Sequence, residues 1–278
     1  MNFDFSSIIF AVVVVAGMGL LIGLILAVSA AVMAVKKDET AERVLEVLPG
    51  ANCGACGFSG CSGYAEALSK GTAKPGLCPV GGEACAKDVA AVLGVEAGAV
   101  EYKTALVHCM GNCDNTQDKA IYDGITSCAA AARIGAGVTS CSYGCIGLGD
   151  CERACPYGAI SVCNGVALVD KDKCRGCSVC VKTCPRHIIS FVSDKDQAVV
   201  RCSNKDKGAV SRKACAVSCI GCKKCEKVCE AGAVKVTDFC AFVDESKCTA
   251  CYKCVENCPQ GCITLFDSDK DDTVTLSV

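Results

Sequence analysis

The sequence predicts an α+β chain of small repeated modules strung behind a single N-terminal transmembrane helix. Three observations carry that prediction. Ile8 to Val35 is a 28-residue stretch without a charged side chain, nine cysteines recur at one fixed spacing, and only 14 of 278 residues are aromatic. Cysteine accounts for 29 residues, roughly one in ten, the level of a chain held together by its cysteines. With no Trp, 8 Phe and 6 Tyr, something besides side-chain burial must hold the cysteine-rich part. The 28 basic and 30 acidic residues nearly balance, which excludes a strongly basic nucleic-acid binder. A composition that is 51% hydrophobic excludes a disordered chain.

As a helix, the uncharged stretch would span about 42 Å, more than the ~30 Å of membrane hydrocarbon. A cleaved signal peptide has a basic leader and a shorter apolar run. Here Asp4 precedes the run and no Lys or Arg does, so residues 1–37 read as an uncleaved single-pass anchor. Lys36 and Lys37 follow it. The positive-inside rule then puts the N-terminus outside the cytoplasmic (inner) membrane and the rest of the chain in the cytoplasm. Gly19 and Gly23 form a G-x-x-x-G pair that could seat a partner helix.

Beyond the anchor the cysteines organise the chain. Cys128, Cys141, Cys145, Cys151, Cys155, Cys174, Cys177, Cys180 and Cys184 each recur 74 residues later, as Cys202, Cys215, Cys219, Cys225, Cys229, Cys248, Cys251, Cys254 and Cys258. Such self-similarity marks a duplicated module, about 128–190 and 202–265. The domains are drawn at 38–100, 101–192 and 193–278.

Each copy contains C-x2-C-x2-C-x3-C-P, from Cys174 to Pro185 and from Cys248 to Pro259; Cys219, Cys222, Cys225 and Cys229 repeat the run without the proline. This is the bacterial-type ferredoxin run for [4Fe–4S] clusters, whose fourth cysteine serves the other cluster of the pair. Three thiolates two residues apart wrap one cube, and the fourth, beyond a short turn, reaches its neighbour. Zinc sites instead use cysteine pairs separated by a longer loop, and a disulfide framework needs an oxidising compartment. The fold class is therefore two tandem 2[4Fe–4S] ferredoxin-like modules behind the anchor and a small [4Fe–4S] domain.

In copy two, Cys219, Cys222, Cys225 and Cys258 are expected to hold one cluster, and Cys248, Cys251, Cys254 and Cys229 the other. In copy one, Cys174, Cys177, Cys180 and Cys155 hold one. The remaining cluster is irregular, because Leu148 stands where Cys222 would be. Cys141 is expected to substitute, completing a set with Cys145, Cys151 and Cys184. Nearer the anchor, Cys53, Cys56, Cys61 and Cys78 form C-x2-C-x4-C-x16-C among glycines at 50, 54, 57 and 60. This is a fifth cluster site, for which spacing alone leaves zinc open. Segments 64–70 and 83–93 read as short amphipathic helices beside it.

Nine cysteines are left over. Cys163 and Cys240 lie in strand-like apolar stretches and read as small buried hydrophobes, while Cys85 and Cys262 have no partner spacing. A sixth cluster could draw on Cys109, Cys113, Cys128, Cys202 and Cys215, but the sequence does not choose four. His108 and His187, the only histidines, are not spaced for Rieske ligation. No P-loop occurs, and Gly135-Ala136-Gly137 and Gly147-Leu148-Gly149 lack the third glycine of a dinucleotide fingerprint. The chain carries no legible site for hydride chemistry and no catalytic residue.

The order of anchor, single-cluster domain and ferredoxin modules resembles the B subunit of the Rnf complex, the ion-translocating ferredoxin:NAD oxidoreductase. The resemblance rests on Leu48-Pro49-Gly50-Ala51-Asn52-Cys53-Gly54-Ala55-Cys56-Gly57, Cys141-Ser142-Tyr143-Gly144-Cys145-Ile146-Gly147 and Cys219-Ile220-Gly221-Cys222-Lys223-Lys224-Cys225. The duplicated module is similar to the longer form found in that family. Glu230 departs from the pattern where a proline would follow Cys229, as does Leu148. The resemblance implies that reduced ferredoxin donates electrons, which pass through the clusters toward membrane subunits and flavin- and NAD-binding subunits. The alternative is a membrane-tethered polyferredoxin serving another oxidoreductase without pumping. Segment 205–227 holds seven Lys and Arg against Asp206 and Glu226, a candidate surface for steering an acidic ferredoxin.

Overall fold

The computed structural model describes residues 5–32, 38–100, 102–134 and 137–266. Helix α1 (Phe5–Val32) is apolar all round. Such a helix must be buried in a core or in lipid, and none of Val12–Ser29 is covered by the rest of the chain. Among the described residues it is the one helix long and apolar enough to cross a membrane. Lys36 and Lys37, on which the orientation rests, lie outside the described residues.

Helices α2 (Glu39–Val47), α3 (Cys61–Ser69) and α4 (Gly82–Leu93) form the next unit. The Asp38 carboxylate starts α2 by accepting from the Thr40 and Ala41 amides at 3.0 and 3.4 Å. Gly94, in the left-handed region at φ 67°, ends α4. Val44, Leu48, Tyr64, Leu68 and Val89 close the core. The buried Tyr64 hydroxyl is satisfied by donating to the Lys74 carbonyl at 2.8 Å and accepting from the Leu77 amide at 3.2 Å.

Two ferredoxin-like units follow. In the first, β1 (Lys103–Val107) pairs antiparallel with β4 (Ile189–Ser193), from Lys103↔Ser193 to Val107↔Ile189. Between them lie α5 (Cys128–Arg133), α6 (Asp150–Ala154), the β2–β3 hairpin (Ile160–Cys163, Val166–Val169) and α7 (Val179–Thr183). The hairpin turns on Asn164 and Gly165 at φ 47° and 78°, the residue pair that such a turn favours. In the second unit, β5 (Gln197–Val200) pairs with β8 (Ile263–Phe266) around α8 (Gly208–Ala214), α9 (Lys224–Val228), the β6–β7 hairpin (Val234–Thr237, Cys240–Val243) and α10 (Lys253–Glu256).

Strand pairing starts the first module at β1, 25 residues before Cys128. Ala105-Leu106-Val107-His108-Cys109 and Ala198-Val199-Val200-Arg201-Cys202 are equivalent at an offset of 93. A 19-residue insertion between Cys109 and Cys141 therefore separates this offset from the 74 that relates the rest. The expected equivalence of Cys128 and Cys202 is replaced by that of Cys109 and Cys202.

The two units are firmly joined. Leu106, Val192, Val199 and Phe266 form a small core between their sheets. The Glu245 carboxylate accepts from the Ser193 amide and hydroxyl at 3.0 and 2.8 Å. Arg201 Nε donates to the Val107 carbonyl at 3.0 Å, and the His108 ring lies 2.6 Å from both the Val200 carbonyl and the Ser190 hydroxyl. His108 is therefore a structural tie, and burial holds its pKa below the usual imidazole range.

Candidate iron–sulfur centres

All 29 cysteines are free thiols, and they gather around a series of hollows. In the helical unit, Cys53, Cys56, Cys61 and Cys78 share one site. Asn52, itself at φ 46°, accepts from the Cys61 amide at 2.9 Å and fixes the loop. Gly60 is required there: its φ is 142°, and a Cβ would come within 2.9 Å of Asn52 Oδ1. Cys85, which spacing left without a partner, is buried beside Cys78 and points its thiol at the Val47 carbonyl at 3.5 Å. That neighbourhood comes from α4 folding back on α2, which no local spacing encodes.

In the first module, Cys155, Cys174, Cys177 and Cys180 lie together. The irregular site is different from the expectation. Cys128, not Cys141, lines the hollow with Cys145, Cys151 and Cys184. Asp150 explains the placement. Its carboxylate accepts from the Ser127 hydroxyl and the Ala129 amide, both at 2.9 Å, and pairs with Arg153 at 2.6 Å. This clamp holds the start of α5 against α6 and brings Cys128 to the place left by Leu148. Gly147 also closes the site. At φ 79° it packs so tightly on the Gly165 carbonyl that no Cβ fits.

Cys141 instead lines a hollow between the modules with Cys109, Cys202 and Cys215. The buried Asn204 donates to Cys141 Sγ at 3.4 Å. The signal for this set is the match of the Ala105–Cys109 strand to Ala198–Cys202, obscured by the insertion. In the second module, Cys219, Cys222, Cys225 and Cys258 form one set, and Cys229, Cys248, Cys251 and Cys254 the other. Glu230, in the place of a proline, forms a surface ion pair with Lys253 at 2.5 Å. Five cysteines lie outside the sets: Cys85, Cys113, Cys163, Cys240 and Cys262. Cys113 and Cys163 are exposed, the latter against the expectation of burial.

The sets are contiguous. The Cys53 carbonyl accepts from Lys182 at 2.9 Å, beside the Cys155/Cys174/Cys177/Cys180 set. The Cys145 amide donates to Cys109 Sγ at 3.3 Å, and the Cys219 amide to Cys202 Sγ at 3.2 Å. Each module therefore has one set hydrogen-bonded to a sulfur of the joint set.

The donors fit iron–sulfur clusters: every set is made of thiols alone, which suit such soft centres. Among the described residues, no His, Cys, Asp or Glu group is gathered about a point as a single ion requires. Burial pushes Cys109, Cys151 and Cys180 up to about 12, and holding a cluster would require their thiolate forms. In the second module the Cys262 thiol holds Cys258 down at about 5, and the Cys240 thiol lowers Cys202.

Three family models match the chain: "Putative Fe-S cluster" over residues 48–80, "4Fe-4S dicluster domain" over 173–233 and "4Fe-4S binding domain" over 241–264. The dicluster match straddles the two strand-paired units, because it follows consecutive cysteine runs rather than strand partners. The B subunit of the ion-translocating oxidoreductase complex of Methanosarcina acetivorans is 40% identical over 261 residues, covering 94% of this chain and 99% of that protein. The B subunit of the Na(+)-translocating ferredoxin:NAD(+) oxidoreductase complex of Acetobacterium woodii is 40% identical over 88% of this chain and 74% of its own length. The proton-translocating counterpart of Clostridium ljungdahlii is 38% identical over 88% and 87%. With thiol-lined iron–sulfur modules behind one apolar helix and relatives matched along most of their length, the chain belongs to the family of B subunits of ion-translocating oxidoreductase (Rnf) complexes.

Proposed function

We propose that this chain takes electrons from reduced ferredoxin and relays them along [4Fe–4S] clusters toward the flavin- and NAD-binding and membrane subunits of an ion-translocating ferredoxin:NAD oxidoreductase. The observation that carries the reading is the gathering of 24 cysteines into six neighbouring sets, with α6 packed on α7 and α9 on α10 inside the modules and sulfur hydrogen bonds into the joint. The path would run from Cys229/Cys248/Cys251/Cys254 to Cys219/Cys222/Cys225/Cys258, then through the joint set Cys109/Cys141/Cys202/Cys215. From there it would continue through Cys128/Cys145/Cys151/Cys184 and Cys155/Cys174/Cys177/Cys180 to Cys53/Cys56/Cys61/Cys78, the set nearest the anchor in sequence. In this reading the chain holds six clusters, Cys128 replaces Cys141 as the ligand beside Leu148, and Cys113 is not a ligand. When bound, each cluster accepts and passes on one electron. The protein's part is to space the centres, exclude water from them and tune their potentials. The orientation proposed is N-terminus outside and cluster domains in the cytoplasm.

The test uses the full chain in detergent, loaded anaerobically and mixed rapidly with reduced ferredoxin or with NADH. Bleaching of the visible absorbance by ferredoxin and not by NADH is expected. Reduction by NADH alone would overturn the reading.

The docking surface proposed for ferredoxin is segment 205–227. Lys205, Lys207, Arg212, Lys213, Lys223, Lys224 and Lys227 are all exposed there, beside the exposed Cys222. Reversing charge at Lys223 and Lys224 is expected to slow reduction by ferredoxin roughly tenfold at low salt, and less at high salt. An unchanged rate and salt dependence would remove this surface from the proposal.

A further inference from the structure

The two modules share one strand frame, so corresponding positions can be compared within a single chain. Around the Cys128/Cys145/Cys151/Cys184 set the frame supplies Val166, which opens β3, and Ile188, just before β4; they are 0% and 3% exposed. At the equivalent positions, 74 residues on, stand Cys240 and Cys262. Both modules give the ligand sulfur two matching backbone donors, Gly147 and Ala167 to Cys145, Gly221 and Ala241 to Cys219. Beside the exchange of Cys222 for Cys128, the two thiols are what differ.

Cys262 is 2% exposed and lines the hollow of Cys219, Cys222, Cys225 and Cys258. Its sulfur lies 3.6 Å from that of Cys258, and it also reaches Cys219. Cys240 points its thiol at the Cys202 carbonyl at 3.3 Å and lies beside the sulfurs of Cys202 and Cys219. Cys262 thus faces one set, whereas Cys240 stands between that set and the joint.

We propose that Cys240 and Cys262 are positioning residues: with the Cys219/Cys222/Cys225/Cys258 cluster bound, the Cys262 S–H donates to its ligand sulfurs and the Cys240 S–H turns from the Cys202 carbonyl to do the same, which raises its reduction potential above what valine and isoleucine at these positions would give. The inference rests on the proposed reading that these sets hold clusters. A reduced cluster carries one more negative charge, so a donor to its ligand sulfur stabilises it more than the oxidised form, and such hydrogen bonds are among the determinants of cluster potential. A thiol is a weak donor, but valine and isoleucine offer none. The two thiols would then place a step of potential on the electron path just before the joint.

The test gives the second module the residues of the first. Full-length protein carrying Cys240→Val and Cys262→Ile is loaded anaerobically, assayed for iron and sulfide, and titrated by potential with electron paramagnetic resonance. The iron content is expected to match the wild type, while two midpoints fall, that of the Cys219/Cys222/Cys225/Cys258 cluster by about 59 mV, a tenfold change for one electron, and that of the joint by less. Cys262→Ile alone should move one midpoint, and Cys240→Val alone should move that of the joint as well. The reverse pair, Val166→Cys with Ile188→Cys, should raise a first-module midpoint. Unmoved midpoints at full iron would overturn the proposal. So would loss of about four irons, which would make these thiols ligands rather than donors. A wild-type chain without visible absorbance or acid-labile sulfide would instead refute the functional reading beneath it.

Discussion

Cys128→Ser is expected to remove about four of roughly 24 irons per chain, with Leu148→Cys in the same protein restoring them. The residue that Cys128 replaces in the repeat is the one that Leu148 vacated, so a cysteine put back there should complete the set with Cys145, Cys151 and Cys184. Cys141→Ser should also cost about four irons, but from the joint set, and Leu148→Cys should not rescue that loss. Cys113→Ser should leave iron unchanged, since Cys113 lines none of the six sets. Iron and sulfide assays on anaerobically loaded full-length protein distinguish these results. Full iron in Cys128→Ser, with iron lost and rescued in Cys141→Ser, would return the third-ligand role to Cys141.

Stripping iron is expected to unfold residues 102–266 while leaving α1 helical. The physical reason is the poverty of the cores. Among the described residues every sheet has two strands, and an isolated two-stranded pairing is marginal in water. The first core owes its apolar mass to Ala105, Val107, Ile160, Val166, Ala167, Ile188 and Ile189 packed around cysteines. The second owes it to Ala198, Val200, Val234, Ala241 and Ile263. Without the clusters, buried thiols would face one another across hollows, so metal binding and folding are one event. Amide hydrogen exchange before and after anaerobic chelation measures this. Protection in β1, β4, β5 and β8 should fall by at least a hundredfold, and retained protection would show that the polypeptide folds alone.

How much of this is legible in the sequence follows from the range of each signal. The uncharged run gives α1 directly, and the runs from Cys174 and Cys248 give the cysteine loops and the turns after them, because their information is local. The fixed offset of 74 locates the β2–β3 and β6–β7 hairpins in parallel. The joint is harder to see. Matching Cys128 to Cys202 is correct as arithmetic, but the inserted residues move the true strand equivalent, Cys109, 19 places upstream. The clamp of Asp150 on Ser127 and Ala129, with Arg153 donating to the Thr126 carbonyl, joins residues up to 27 apart, and no spacing rule anticipates it. Cys85 reaches Val47 across 38 residues and is illegible for the same reason. The second hairpin adds a local surprise. Asp238 and Phe239 both take positive φ, 48° and 59°, where the first module uses Asn164 and Gly165. Phe239 is thus held in a conformation that side chains disfavour, an arrangement sustained by its surroundings rather than by turn propensity.

The joint set has a consequence for the order in which the protein matures. Two of its four thiols, Cys109 and Cys141, leave the ribosome well before the other two, Cys202 and Cys215. The first module can therefore receive its own two clusters while the second is still being made. The joint cannot, because half of its ligands do not yet exist. Its cluster would be inserted only once the second module has emerged and docked through Leu106, Val192, Val199 and Phe266. Electrical continuity would then begin only in a finished chain, and a truncated product would be unable to drain electrons from the cellular ferredoxin pool.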